Sequence, residues 1–323
     1  MQDYQILTEK YRPNKLDQII GQDNIVKRLH RYVETKNMPN LLFAGKPGIS
    51  KTTAAVCIAK ELYGNSWLLN FLELNASDSR GIDVIRERVK SYASIKSVGE
   101  ITFKIILLDE ADALTKDAQN ALKRTMETYS SSCRFILTCN LSSKIIEPIS
   151  SRTSIFRFKQ IKNEDIIKIC KNICEKENIK IEFEALEAIA FMSEGDARKA
   201  IGTLDSSMIT SESKSITLKD IYEVTSFIEP KIIIDIIKKA LSNEFFASLT
   251  IMENLIINDG ISSDDIIKQL MKRALELNIP NKMVIVELVD IIGETDWRIS
   301  EGANELIMLK QMIARMVKLG SII

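Results

Sequence analysis

A single histidine, His30, occurs in 323 residues. It is expected on a helix surface, so catalysis by histidine or a histidine-based metal centre has little to stand on. Five cysteines, at 57, 133, 139, 170 and 174, lack the spacing of zinc ligands and do not suggest a disulfide framework. They are expected to be reduced, buried small residues. Cys170 and Cys174, one helical turn apart, fit core packing better than a metal. No apolar run reaches the roughly 18 residues that suggest a membrane span, and Met1-Gln2-Asp3-Tyr4-Gln5 is not expected to be a signal peptide. Aromatic residues make up 6% of the chain, with little interleaving among basic segments, so stacking on nucleic-acid bases is not indicated. Internal repeats and low-complexity tracts are missing too.

Net charge is also zero, with 44 Lys+Arg against 44 Asp+Glu. The charge is not evenly spread. Residues 1–158 carry 23 Lys+Arg and 17 Asp+Glu, a balance of +6, and residues 159–323 carry 21 and 27, a balance of −6. That fits a polyanion held at one end; uneven surface composition is the plainer alternative.

What is present is a nucleotide site in two halves. Leu41-Leu42-Phe43-Ala44 suits a buried strand, and Thr52–Leu62 reads as a helix. Between them Gly45-Lys46-Pro47-Gly48-Ile49-Ser50-Lys51-Thr52-Thr53 reads as a phosphate-binding loop. Loop N–H groups and the helix N-terminus would face the phosphates. Lys51 would reach the β- and γ-phosphates, and Thr52 would hold Mg²⁺. The pattern asks for glycine before the lysine, and this chain has Ser50. If that position requires a positive φ, serine costs about 1–3 kcal/mol; if φ is negative, serine is tolerated. A tight strand-to-helix turn with an accidental lysine is the bland alternative.

The second half weakens that alternative. Ile105-Ile106-Leu107-Leu108-Asp109-Glu110-Ala111-Asp112 describes a buried parallel strand ending in carboxylates. Asp109 would hold Mg²⁺ and Glu110 would polarise the attacking water. Together the halves point to an NTP-driven machine.

Longer segments carry a resemblance. Glu9-Lys10-Tyr11-Arg12-Pro13, the run from Glu73 through Asn75-Ala76-Ser77-Asp78 to Asp83, Asp109–Asp112 and Ser143-Lys144-Ile145-Ile146-Glu147-Pro148 resemble the small subunits of replication factor C. These belong to the AAA+ sliding-clamp loader, and the archaeal form is the nearest. The likeness continues through Glu194–Ile201 to Arg298–Glu305. It implies ATP with Mg²⁺ as the bound nucleotide. It also implies a large subunit and further small subunits as partners, in a pentamer that opens the sliding clamp and loads it on primer–template DNA. The place of action would be cytoplasmic in an archaeon and nuclear in a eukaryote, with no membrane. By the same resemblance Asn140 is a sensor near the γ-phosphate, Arg198 a second sensor in the lid, and Arg152 an arginine finger reaching a neighbour's site. The family has Cys where this chain has Thr153. A capping asparagine and surface salt bridges are the plain alternatives for these three. A second function follows from Ser50: a structural or nucleotide-sensing subunit with weak or no hydrolysis of its own. Another AAA+ machine, such as a branch-migration motor, is disfavoured by the Glu9–Pro13 and Glu73–Asp83 runs.

Ser77 or Asp78 can cap a helix starting near Ile82. Arg80 lies near that N-terminus, where the helix dipole disfavours cations, and Arg86 and Lys90 share a face. These three are expected to grip DNA phosphates without reading sequence. The plain alternative is a solvated helix pairing Asp83 with Arg86 and Glu87 with Lys90. Further along, Tyr92 and Ile95 either present an apolar knob to the clamp or pack inward.

Residues 1–158 alternate strands and helices, as a parallel sheet requires. Strands are expected at Leu41–Ala44, Trp67–Leu74, Phe103–Asp109, Arg134–Cys139 and Ser154–Phe158. The expected architecture is a RecA-like α/β AAA+ ATPase core over 1–158, an all-α lid over 159–228, and an all-α C-terminal collar over 229–323. The Glu229-Pro230 step is a plausible junction.

Overall fold

The computed structural model describes residues 5–77, 82–211, 215–225 and 227–321, with 82–86 as backbone alone. The chain divides into two compact units, Met1–Ile221 and Tyr222–Ile323.

The first unit is built on five parallel strands: β1 (Asn40–Ala44), β2 (Phe71–Asn75), β3 (Lys104–Asp109), β4 (Cys133–Cys139) and β5 (Thr153–Arg157). Their order is β2-β3-β4-β1-β5. The central strands are apolar on both faces because helices cover both faces of a parallel sheet. Leu41, Leu42, Phe43, Ile105 to Leu108 and Phe135 to Leu137 are all fully buried. The C-terminal ends of β1, β3 and β4 lie side by side. In such sheets ligands bind beyond the strands' carboxyl ends, so Gly45, Asp109 and Asn140 leave the sheet at one place.

One expected strand is half wrong. Trp67–Asn70 is a helical turn following Gly64–Ser66, and only Phe71–Asn75 is strand. Asn70 is fully buried there, its amide donating to Ser66 O and Val98 O and accepting from Val98 N. An extended chain would not present Asn70 to Ser66. A short apolar run alone does not distinguish strand from helix.

The lid's helices are Asn163–Glu177, Phe183–Ser193 and Ala197–Thr210, followed by Leu218–Val224. A two-residue parallel ladder, Lys180–Ile181 with Ser215–Ile216, ties its ends, which helical periodicity did not anticipate. All five cysteines are buried and unpaired. Burial pushes the Cys57 and Cys170 thiols up to about 12, so they are inert packing groups.

The second unit holds the helices Pro230–Leu241, Phe245–Ile257, Ser263–Glu276, Lys282–Ser300 and Glu305–Gly320. Pro230 opens its first helix from inside, where its missing N–H costs nothing. Ile233, Ile236, Ile237, Leu270, Leu288, Ile292 and Met312 form the core. Gly320 ends the last helix so close to Leu241 that a Cβ would lie 2.0 Å from its carbonyl oxygen. Among the described residues no helix is long and apolar enough to cross a membrane.

Candidate nucleotide site

The loop joins β1 to the Lys51–Tyr63 helix. Ile49 is buried beneath it, while Gly48, Ser50, Lys51, Thr52 and Thr53 line an open cleft together with Pro47. Gly45, Lys46 and Ile49 do not line it; Gly45 and Lys46 contribute carbonyls instead. Gly48 has φ +68 and packs against the lid: a Cβ there would lie 1.7 Å from Asp196 Oδ1. Gly48 O accepts from Ala197 N at 3.0 Å, and the Asp196 side chain caps the same lid helix through Lys199 N. Only glycine allows this approach.

Ser50 settles into φ 73, ψ 20, the left-handed region. The position therefore requires what glycine supplies freely, and serine holds it at a cost of about 1–3 kcal/mol. Glycine at this position would relieve the strain. Ser50→Gly will bind MgATP as tightly as the wild type or more tightly, because the loop's other N–H groups and Lys51 keep most of the cradle. Titration calorimetry checks this. No binding to the wild type alongside clear binding to the variant would contradict it.

Lys51 is only 8% exposed. Its Nζ donates to Gly45 O and Lys46 O, both at 2.6 Å, and to Asn140 Oδ1 at 3.3 Å. Burial lowers its pKa, the carboxylates of Asp109 and Asp112 oppose that, and Arg198 adds to it. The three direct acceptors of the ammonium are neutral, so a phosphate in the cleft would be its first hydrogen-bonded anion. Arg198, in the first turn of the Ala197–Thr210 helix, lines the same cleft from the lid. Asn140, Asp109 and Glu110 line it too. The donor set fits a polyphosphate.

Thr52 Oγ1 donates to Asp109, 3.1 Å from each carboxylate oxygen. A hydroxyl and a carboxylate so placed offer hard oxygen ligands for a divalent cation such as Mg²⁺. Thr138 was missed as a site residue. Its hydroxyl donates to Asp109 Oδ1 and accepts from Glu110 N, so one buried side chain orders both acidic residues. Its signal was a lone hydroxyl within the apolar strand Phe135–Cys139. Glu110 leaves the strand at φ 55, which turns its side chain out of the β3 pleat. The Asp112 carboxylate accepts from Asn140 N and Leu141 N, each at 3.2 Å, and so fixes the turn that follows β4.

The other end of the cleft was missed as well. Thr8, Glu9, Tyr11, Arg12 and Pro13 line it, as does Ile201 of the lid. The N-terminal segment is tied to the lid, with Tyr11 Oη donating to Glu177 at 2.5 Å and Lys10 Nζ at 2.6 Å. Burial first, then Glu177, pushes Tyr11 up to about 12.

Arg152 is not in this cleft. It precedes β5, whose Thr153 pairs with Asn40 at the start of β1, whereas the loop follows Ala44 at its end. Four strand steps, about 13 Å, separate the two ends of β1. Arg152 instead donates to Pro148 O at 2.8 Å and pairs with Glu127 at 2.8 Å.

Arg80 lies outside the described residues, and Arg86 is described only as backbone of the Ile82–Ser94 helix. Lys90 is exposed on that helix, and among the described residues no carboxylate pairs with it, Glu87 included. Tyr92 packs inward, donating to Leu69 O at 3.2 Å beneath the Lys104 ammonium. Ile95 is 58% exposed.

Three family models match in sequence order. The AAA model, "ATPase family associated with various cellular activities", matches residues 41–161. The RCF1/5-like AAA+ ATPase lid domain matches 168–209. The replication factor C C-terminal domain matches 228–315. The replication factor C small subunit of Methanococcus vannielii is 52% identical over 95% of this chain and 97% of its own. That of Archaeoglobus fulgidus is 46% identical over 97% of this chain and 98% of its own. Among solved structures, the Thermotoga maritima RuvB Holliday junction branch migration motor aligns with a TM-score of 0.57 over 84% of this chain and 93% of its own. At 19% identity that likeness speaks for the AAA+ fold alone.

Proposed function

The chain belongs to the replication factor C small subunits, AAA+ ATPases of the clamp loader, and on that premise we propose that it binds MgATP, opens the sliding clamp, and loads it on primed DNA. The observation that carries this is Lys51, an ammonium buried against the Gly45 and Lys46 carbonyls and Asn140 Oδ1, in the cleft that Thr52 and Asp109 also line. When bound, the nucleotide supplies the hydrolysable phosphoanhydride and Mg²⁺ supplies charge neutralisation. Lys51 and the loop backbone bind the phosphates, Thr52 and Asp109 hold the cation, Glu110 polarises water, and Asn140 orients it. Arg198 reports the phosphates to the lid. Arg152 acts on a neighbour's site, which its distance from its own loop supports.

The working assembly is a pentamer with a large subunit and other small subunits, acting in the cytoplasm, as the archaeal relatives favour over a eukaryotic nuclear site. Its parts are the ATPase core 1–158, the lid 159–228 and the collar 229–323. In the collar Phe246, Ile257, Met283, Val286, Trp297 and Ile307 are exposed apolar side chains suited to subunit contacts. The clamp-facing surface combines Ile95 and Val98 with Leu68 and Leu69, all exposed and joined by the Tyr92–Leu69 and Asn70–Val98 hydrogen bonds. The test is clamp retention on nicked circular DNA. Retention should require ATP, and retention without nucleotide would sink the reading.

A structural or nucleotide-sensing subunit remains the second reading, favoured by one observation, the left-handed Ser50. Weak turnover with intact binding would separate it from the first.

DNA is held by Arg80, Arg86 and Lys90 through phosphates, without sequence preference. Supporting this, Lys90 is exposed and unpaired among the described residues, in the positively balanced half of the chain. Each contact removed should lower the salt slope of log K by roughly 0.7–0.9. Fluorescence anisotropy of the assembled loader on primed DNA across a salt series checks it. An unchanged slope in the triple alanine variant would leave these residues a solvated face.

A further inference from the structure

Arg152 does not hang free. Its Nη1 donates to Pro148 O at 2.8 Å, and its Nη2 meets Glu127 Oε1 at 2.8 Å. Glu127 sits in the last turn of the Lys116–Thr128 helix, which has no basic residue in that turn. A carboxylate there opposes the helix dipole, so helix formation does not account for it. Its cationic partners are Arg152 and, one turn back, Lys123 at 4.0 Å.

The surroundings ask for that negative charge. Arg152 lines a shallow cleft with Arg31 and Arg134 and with no carboxylate. Arg134 is committed to its own subunit: Nε donates to Met38 O at 2.6 Å, and its guanidinium lies 4.9 Å from the Phe103 ring centroid. Without Glu127, the Pro148 carbonyl alone would hold one corner of the guanidinium, with Arg31 and Arg134 lining the same cleft. A guanidinium has five N–H donors in a planar fork. Glu127 and Pro148 each engage one of them, which fixes the plane and, among the described residues, leaves the others without a partner. The Arg152 side chain is still 41% exposed.

We propose that Glu127 is a positioning residue for Arg152: it clamps one side of the guanidinium so that the remaining donors are presented to the phosphate chain of a nucleotide bound on the adjoining subunit. This rests on the reading of Arg152 as a group acting in trans. Glu127 touches neither nucleotide nor water and acts through Arg152.

The test uses the assembled loader with Glu127→Ala, Glu127→Gln and Arg152→Ala in the small subunits, alone and combined. A misdirected catalytic group costs on the order of 10²-fold. Glu127→Ala should therefore lower kcat by about 10–100-fold while KM and nucleotide binding at its own site stay within about twofold. Glu127→Gln keeps an oxygen acceptor and should lose less. The double variant Glu127→Ala with Arg152→Ala should be no slower than Arg152→Ala alone, because the two act as a unit. A purely structural role would shift the melting temperature and spare kcat. If Arg152→Ala cripples hydrolysis while Glu127→Ala leaves kcat unchanged or raises it, the positioning role is wrong and the trans role stands. If Arg152→Ala is without effect, the trans role fails and the proposal with it.

Discussion

Arg152→Ala will cripple hydrolysis at the neighbouring subunit's site and leave nucleotide binding at its own almost untouched. An arginine supplied in trans to a phosphoryl-transfer site is worth about 10³–10⁵ in rate, and a loss of that order is expected here. The geometry behind this is simple. Thr153 pairs with Asn40 at one end of β1 and the phosphate loop leaves the other end, so Arg152 lies at the far end of the strand from its own loop and does not line its own cleft. Mixing subunits separates the roles. Arg152→Ala and Lys51→Ala chains assembled together should recover part of the activity, because some interfaces then join a wild-type arginine to a wild-type loop. If Arg152→Ala instead abolishes binding in an isolated subunit, the side chain serves its own site.

Lys51→Ala should weaken MgATP binding by roughly 10²-fold or more. Hydrogen bonds to charged groups contribute about 1.5–3 kcal/mol each, and Lys51 would make at least one to the phosphates. At about 1.4 kcal/mol per tenfold, the upper end of that range already reaches the predicted factor. The nitrogen is buried and its pKa is held below its ordinary value mainly by burial, so bound phosphate meets a cation that water no longer satisfies. Titration calorimetry on the isolated subunit measures this directly. Equal affinity would mean that the lysine only pins the Gly45 and Lys46 carbonyls.

The strand and loop that line the cleft were legible in the sequence because their chemistry is contiguous. One strand, one turn and one helix start carry Gly45 to Thr53, and a single strand end carries Asp109 and Glu110. Contacts between distant segments were not legible. Thr138 orders Asp109 from 29 residues away, and Tyr11 meets Glu177 across 166; the lone hydroxyl in an apolar strand marks Thr138 but not its partner, and nothing local marks the Tyr11 contact. Ser50 marks the boundary between the two cases. Its departure from the loop pattern was readable, but whether it mattered depended on φ, which only the folded loop fixes. Trp67–Asn70 failed for another reason: the run is too short for its period to show, and a buried asparagine chose the helical turn. Arg198 was placed by resemblance, and its position in the cleft depends on the lid helix that Gly48 admits.

On the proposed reading this subunit turns over ATP in spite of Ser50. Steady-state ATPase of the assembled loader, with and without clamp and primed DNA, tests it most directly when wild-type small subunits are compared with Lys51→Ala. Hydrolysis by the wild type should rise when clamp and primed DNA are both present, and Lys51→Ala should fall to the rate the large subunit supplies alone. A wild-type loader no faster than the Lys51→Ala loader under every condition would contradict the account, leaving this chain a subunit that senses nucleotide without spending it.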